Sequence, residues 1–320
     1  MKTYFLSTAA ALALALTSAS AVAQSTGNAA YIDQAGVSNI NEQTQEKGSG
    51  NVTSNVQKGF ANKTAVSQTG GTKNRAAASQ NGDHNDVSQR QSGGQRNGFS
   101  AAQDGSGHSL VQTSTAGGVN NRARSSQTGV TNHAEQAQSG GADSAMDLRQ
   151  SGKKNNAAQT QANATGSSAY IDQVETGNQA TQTQRNGRMQ SASIAQNGVN
   201  NNVGQTQDGD RNSAAASQTG SFNSVTQTQT GTGNTASGRQ EGLYNVLRQD
   251  QSGNGNSADA QQYSTDTSNY GEQTQRGNLN TASLYQNGAD NRSTQSQTGN
   301  GNIAGARQDG TGNRNTQIQR

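Results

Sequence analysis

The chain has no cysteine, no proline and no tryptophan, and only 3% of its 320 residues are aromatic and 27% hydrophobic. Each shortage excludes something. Without cysteine there is no disulfide framework and no thiol chemistry, so the compartment has to be read from elsewhere. So little apolar surface cannot offset chain entropy in an ordinary globular core. Average usage of about 5% proline would give roughly 16 in a chain of this length. Proline lacks the N–H that a β-ladder needs, so its absence fits a chain that is strand nearly throughout. Charge is sparse and balanced, at +3 overall and +2 once Lys2 is removed. No basic run interleaves with aromatics, so there is no nucleic-acid footprint. No segment approaches the roughly 20 apolar residues of a membrane-spanning helix.

What is present begins with a leader. Lys2 gives a positive start, Ala9 to Leu16 is a short apolar run, and Ala21-Val22-Ala23 is a small-x-small cleavage site. Residues 1–23 are therefore expected to be a secretory signal peptide, with Gln24 as the mature N-terminus and 24–27 as a short lead-in. Everything from 28 to 320 is repetitive.

The repeat is Asn, five residues, Gln, any residue, Gly, as in NAAYIDQAG from Asn28 and NKTAVSQTG from Asn62. Asn opens these segments except at His108, Ser144, Ser167 and Gln190; Gln closes them except at Ser114. In every second segment Gln also recurs two residues before the close, from Gln43 and Gln89 to Gln295 and Gln317, with Val66 the one break. Segments therefore pair into units of 22 to 24 residues. The pairs start at Asn28, Asn51, Asn74, Asn97, Asn121, Ser144, Ser167, Gln190, Asn212, Asn234, Asn256, Asn280 and Asn302, which makes thirteen coils.

Seven residues is the length of a strand, and side chains alternate faces along it. The opening residue, the two next alternate positions and the closing Gln then share one face. No Asp, Glu, Lys or Arg occupies that face in any segment; Asp33, Glu42, Arg75, Arg124, Asp147, Arg149 and Asp259 all fall on the other. The uncharged face must be the interior. It also holds the apolar residues, such as Ile32, Phe99, Met146, Leu148 and Ile194 on first strands and Val87, Leu110, Val203, Val225 and Leu247 on second strands. The predicted fold is all-β: a cross-β solenoid of thirteen strand-arc-strand coils.

Buried amides are costly unless paired. Stacked about 4.8 Å apart, identical amides can donate to one neighbour and accept from the other. The predicted ladder residues are Asn28, Asn51, Asn74, Asn212, Asn280 and Asn302 at first-strand openings. First-strand closings supply Gln34, Gln80, Gln127, Gln196, Gln218, Gln286 and Gln308. Second-strand closings supply Gln45, Gln91, Gln138, Gln184, Gln207, Gln229, Gln251, Gln297 and Gln319, and the extra column contains Gln182. Glycines two residues past a closing Gln, including Gly36, Gly82, Gly129, Gly198, Gly220, Gly253, Gly288 and Gly310, supply the positive φ of the arcs. Asn28 opens the first coil just after the leader and Gln319 closes the last, so no cap of the kind soluble solenoids carry is expected. Open β-edges template further pairing.

Paired segments such as NSAAASQTG from Asn212, NSVTQTQTG from Asn223 and NTASLYQNG from Asn280, behind a secretory leader, resemble the curlin repeat of curli fibre subunits. The resemblance covers nearly the whole mature chain. It departs in having thirteen repeats and Asn rather than Ser at most first-strand openings. It implies a secreted, cell-surface subunit of an extracellular functional amyloid in a Gram-negative biofilm matrix, serving adhesion. The implied partners are the chain itself, a related fibre subunit or nucleator, and an outer-membrane secretion pore. A nucleator role within that family stays open. So does a monomeric solenoid binding a regular ligand such as ice, which would need Thr repeated coil after coil on a flat face. Thr69, Thr128, Thr219, Thr230 and Thr298 recur after closing Gln residues, but other residues share that site. His84, His108 and His133 fall in second segments of neighbouring coils, with His108 inward, His133 outward and His84 in an arc; no metal or other cofactor is expected. No Asp, Arg or Lys cluster recurs on neighbouring coils, so no enzyme is expected.

Overall fold

The computed structural model describes residues 26–264 and 267–320. The predicted signal peptide, Gln24 and the start of the lead-in lie outside the described residues. Alternate faces of the repeat set the architecture: two parallel sheets, each of 13 strands, stacked face to face as a β-solenoid. One sheet runs from Ala29–Val37 in coil 1 to Ile303–Thr311 in coil 13 and holds every first strand. The other runs from Ile40–Glu46 to Arg314–Gln319 and holds every second strand. Pairing is in register from coil to coil, so Gln34 meets Gln57 and Gly36 meets Gly59. No helix among the described residues is long and apolar enough to cross a membrane.

The strands differ from the seven-residue expectation. First-sheet strands begin one residue after the opening Asn, and most run nine residues, past the closing Gln and through the glycine. The reason lies in the arc. At Gly36, Gly59, Gly82, Gly105 and Gly129 φ is between 111° and 128°, which bends the strand without ending its ladder. A Cβ on Gly82 would lie 2.0 Å from the Gly105 carbonyl oxygen, so close coil stacking, as well as φ, demands glycine there. The residue just before the next opener adopts the left-handed conformation, as Ser38 (φ 58°), His84 (φ 55°) and Tyr244 (φ 57°) do.

Arcs returning from second to first strand come in two kinds. In coils 1 to 7 they are longer and carry their own column of bridges, Thr26–Ser49–Thr72–Gln95–Val119–Ala142–Thr165–Arg188. From Gly209 on they take the geometry of the other arcs, with φ of 107° to 113° at Gly209, Gly231 and Gly277. Second-sheet strands Ser224–Thr232, Val246–Asn254 and Tyr270–Asn278 lengthen to nine residues accordingly.

Between the sheets, volume on one side is matched by its lack on the other. Leu148, Ile171 and Ile194 on first strands share one buried cluster with Ala134, Ala157 and Ala180 on second strands. From coil 8 on the pattern reverses: Val203, Val225 and Leu247 are large, and Ala216 and Gly238 are small. A Cβ on Gly238 would sit 2.7 Å from Leu247 Cδ2, and one on Gly271 would sit 2.5 Å from Leu284 Cδ2. Each buried Leu or Ile contributes about 1.5–3 kcal/mol, so this thin seam supplies the larger apolar cluster of the core, beside a smaller one around Phe99 and Met146. The charged residues stay outside. Arg248–Asp250 (2.6 Å) and Arg307–Asp309 (2.8 Å) pair along single strands, where exposed ion pairs add about 0–1 kcal/mol each.

Candidate assembly surface: amide ladders and terminal coils

The closing glutamines of the first strands form a continuous hydrogen-bonded column. Gln34 Nε2 donates to Gln57 Oε1, and the chain of donations passes through Gln80, Gln103, Gln127, Gln150, Gln173, Gln196, Gln218, Gln240, Gln262 and Gln286 to Gln308, each step 2.5–2.9 Å. From Gln57 on, the second N–H of each amide goes to a main-chain carbonyl of the facing sheet, as from Gln196 to Gln179 (2.9 Å). Both N–H groups and the carbonyl are thus satisfied without water, and the amides in mid-stack are fully buried. In every link the N–H points toward the later coil.

The two other glutamine columns follow the same rule and break where the sequence does. In the second-strand closings, Gln45 donates to Gln68 and Gln68 to Gln91 (2.9 and 2.6 Å). Ser114 interrupts the column: Gln91 turns to the Asn97 carbonyl (3.3 Å), and the buried Gln138 Oε1 has no partner. The column resumes from Gln138 through Gln184, Gln207, Gln229, Gln251 and Gln297 to Gln319. In the extra column Val66 separates Gln43 from Gln89, whose Oε1 is likewise unpartnered, and the ladder then runs unbroken through Gln182 to Gln317.

Asparagine behaves differently from the amide-to-amide column expected of it. The Oδ1 of Asn28, Asn51 and Asn74 accepts the main-chain N–H of the next coil's opener (2.9 Å each). The Nδ2 reaches an arc carbonyl, as from Asn74 to Gly93 (3.1 Å) and from Asn212 to Gly231 (2.9 Å). Its short side chain cannot span to the facing sheet, so it fastens the arc instead. Only in some coils does it also donate to its own kind, as Asn280 does to Asn256 (3.1 Å). Asn302 accepts no such bond from a later coil among the described residues, and its N–H is held by Asn280 Oδ1 (3.0 Å).

The exceptions at openings are accommodated one by one. Ser144 and Ser167 substitute a hydroxyl acceptor. Gln190 is too long, and its buried Oε1 is left unpartnered. His108 takes the asparagine role with a ring nitrogen: Asn132 N–H donates to Nδ1 (3.2 Å), and Nε2 faces the Asp104 carbonyl (3.2 Å). That pairing requires the neutral ring with the proton on Nε2. Burial lowers its pKa below the usual 6.5, against the opposing pull of the Asp104 and Gly129 carbonyls and the Asp104 charge. His84 is stacked edge-on against Phe60 and His133 is exposed. Among the described residues no three His, Asp or Glu side chains gather as a metal site.

The predicted turn glycines occupy the arcs. Gly36, Gly82, Gly129, Gly198, Gly220, Gly288 and Gly310 share one column, and Gly253 lies in the return arcs. Glu175 stands in the glycine column of coil 7 at φ 76°.

Burial fades at both ends. Ile171 and Ile194 are fully buried, whereas Ile32, in the same column of coil 1, is 42% exposed. Among the described residues no further strand pairs with the outer edges of coils 1 and 13. The fold and the site together define a two-sheet parallel β-solenoid with an amide-laddered interior and unpaired terminal edges. No protein-family model matches the chain, and no curated protein matches it.

Proposed function

We propose that the chain is a secreted structural subunit of curli-type extracellular amyloid fibres, exported through an outer-membrane pore and joined end to end with copies of itself. The observation that carries this reading is the first-strand glutamine column: among the described residues Gln34 Oε1 accepts from no earlier coil and Gln308 Nε2 donates to no later one, so a further coil of the same kind would extend it. An edge of this kind templates another strand. The repeat's likeness to curlin supports the biofilm setting and adhesive role; whether the chain is the main subunit or a nucleator is decided by function. Electron microscopy and thioflavin T kinetics of the mature chain, with and without preformed seeds, test it. Unbranched fibres with a meridional reflection near 4.8 Å are expected. A chain that stays monomeric at all concentrations overturns the proposal, and seeding of a second subunit at substoichiometric amounts identifies a nucleator.

A second reading has one observation in its favour. Thr160, Thr183, Thr206 and Thr228 lie in register on the outer face of the second sheet. This column is one residue before the closing Gln, not after it. A monomeric solenoid presenting that array to a regular surface such as ice would show thermal hysteresis while remaining monomeric.

A further inference from the structure

The second-strand position two residues after the opener is apolar from Val87 and Leu110 through Val225 and Leu247. Toward each end it turns polar, at Thr64 and Ser293, and at the terminal coils it is asparagine on both sides: Asn41 in coil 1 and Asn315 in coil 13. Nowhere else in that column is there an amide. The two ends are also complementary. Asn41 Oδ1 accepts from Asn55 Nδ2 (2.9 Å), leaving Asn41 Nδ2 buried with no partner. Asn315 Nδ2 donates backward to Ser293 Oγ (3.1 Å), and among the described residues nothing donates to its Oδ1. Coil 1 therefore offers a spare donor where coil 13 offers a spare acceptor.

The flanking glutamine ladders run in the opposite hydrogen-bond sense, with the spare donor at coil 13 and the spare acceptor at coil 1, and are equally complementary head to tail. Gln308, Gln317 and Gln319 each use one N–H on a main-chain carbonyl and keep the other for a following coil. Gln34 and Gln45 receive no donation from an earlier coil among the described residues. Placing coil 1 of a second copy after coil 13 in the register that joins Ser293 to Asn315 and Asn41 to Thr64 sets Asn315 beside Asn41. It also sets Ala306 beside Ile32 and Gln308 beside Gln34. Head-to-head contact would oppose donor to donor.

We infer that the joint between copies is head-to-tail and that Asn41 and Asn315 are its register lock, the Asn315 side-chain carbonyl accepting from the Asn41 amide. An amide pair at the joint selects one alignment because every other leaves an amide buried and unpaired. This rests on the end-to-end assembly proposed above and adds to it which ends meet and which residues align them.

The test uses the full mature chain and four proteins: wild type, Asn41→Leu, Asn315→Leu and the double variant. Each single variant leaves one amide unpaired at every joint, and seeded elongation should slow about ten-fold, the equivalent of about 1.4 kcal/mol. The double variant should recover to within about two-fold of wild type, because both faces are then apolar. Circular dichroism of each soluble chain before seeding shows whether its strand content is intact. A second measurement exploits the absence of cysteine. Oxidised fibres of Asn41→Cys/Asn315→Cys should run as a covalent multimer series on denaturing gels, because parallel in-register neighbours lie within disulfide reach; either single cysteine variant should stay uncrosslinked. Fibres that form normally with additive single effects and no multimer series overturn the lock but leave end-to-end assembly standing. Covalent dimers from the single cysteine variants show head-to-head joints and overturn the polarity. A wild-type chain that never polymerises overturns both.

Discussion

Coils 1 to 8 and coils 9 to 13 are built from the same repeat and differ in fidelity. Every ladder interruption falls in the first group: Val66, His108, Ser114, Ser144, Ser167 and Gln190. So do the longer return arcs with their bridge column, which ends at Arg188, just before the Gln190 mismatch. In coils 9 to 13 each glutamine column is complete, and the return arcs copy the forward ones. The sequence there lengthens between Gln262 and Asn269, where six residues separate closing Gln from opening Asn, outside the amide columns. The difference teaches that a solenoid of this kind tolerates single unsatisfied amides when the flanking coils hold the register, at a cost concentrated in one half of the molecule. The later coils are accordingly the more stable block.

The strongest way to break the contrast is to put a charge into the flawless half. Gln218→Lys inserts an ammonium into the one unbroken column and should cost about 3–5 kcal/mol; loss of protection of coils 8 to 10 in hydrogen exchange would register it. Gly220→Ala comes next. Its Cβ would lie 2.2 Å from the Gly242 carbonyl oxygen, at φ 108°, so about 3 kcal/mol or more is expected, read from the urea midpoint. The sharpening experiment is repair of the weaker half. Ser114→Gln gives Gln91 an acceptor and Gln138 a donor and should add about 1–2 kcal/mol, while Gln251→Ser should remove a similar amount from the stronger half. If the two changes moved the urea midpoint in the same direction, the ladder account of the contrast would be wrong.

His108 supplies a pH-dependent version of the same contrast. Its folded-state pKa lies below 6.5, so as pH falls through 6.5 the unfolded chain takes up the proton first. Stability contributed by the neutral ring is present above that pH and declines below it, levelling off once the folded ring also titrates. Urea titrations between pH 7.5 and 5 (about the range in which histidine responds) should show coils 3 to 5 weakening, and His108→Asn should abolish this component. The smallest effect belongs to the outside: Arg149→Lys, exposed on coil 6, should stay within about 0.5 kcal/mol of wild type.

Much of this was legible beforehand, for a physical reason. A period of two reports which face a residue occupies, so the charge-free face, the thirteen coils and the glutamine columns from Gln34 to Gln308 could be read directly. The same period says nothing about which residue lies across the seam. The exchange of bulk between Ile171 and Val225 layers, the need for glycine at Gly238 and Gly271, and the facing of Asn41 with Asn55 depend on how two sheets are offset. Asparagine departs from expectation for a related reason: identity of spacing suggests an amide column, but side-chain length decides what an amide reaches. The nine-residue first strands are not legible because glycine in sequence signals a turn, whereas at Gly59 and Gly82, with φ near 110°, it bends a ladder that continues. Asn41 and Asn315, the column's two terminal amides, do not stand out in sequence because the inner face is rich in polar residues throughout.

The shared direction of the glutamine amides has an electrical consequence. Each carboxamide carries a dipole of roughly the 3.5 D of a peptide unit. Three columns point their N–H ends toward coil 13, whereas the asparagine carbonyls point the same way with their oxygens and offset only part of the sum. Main-chain dipoles of neighbouring residues alternate in a parallel ladder and largely cancel. The molecule is therefore polarised along its axis, positive at coil 13 and negative at coil 1. A dilute, low-salt solution of it should orient in a pulsed electric field, and above the roughly 0.1 M at which screening reaches about 10 Å the polarisation acts only between surfaces already close to contact.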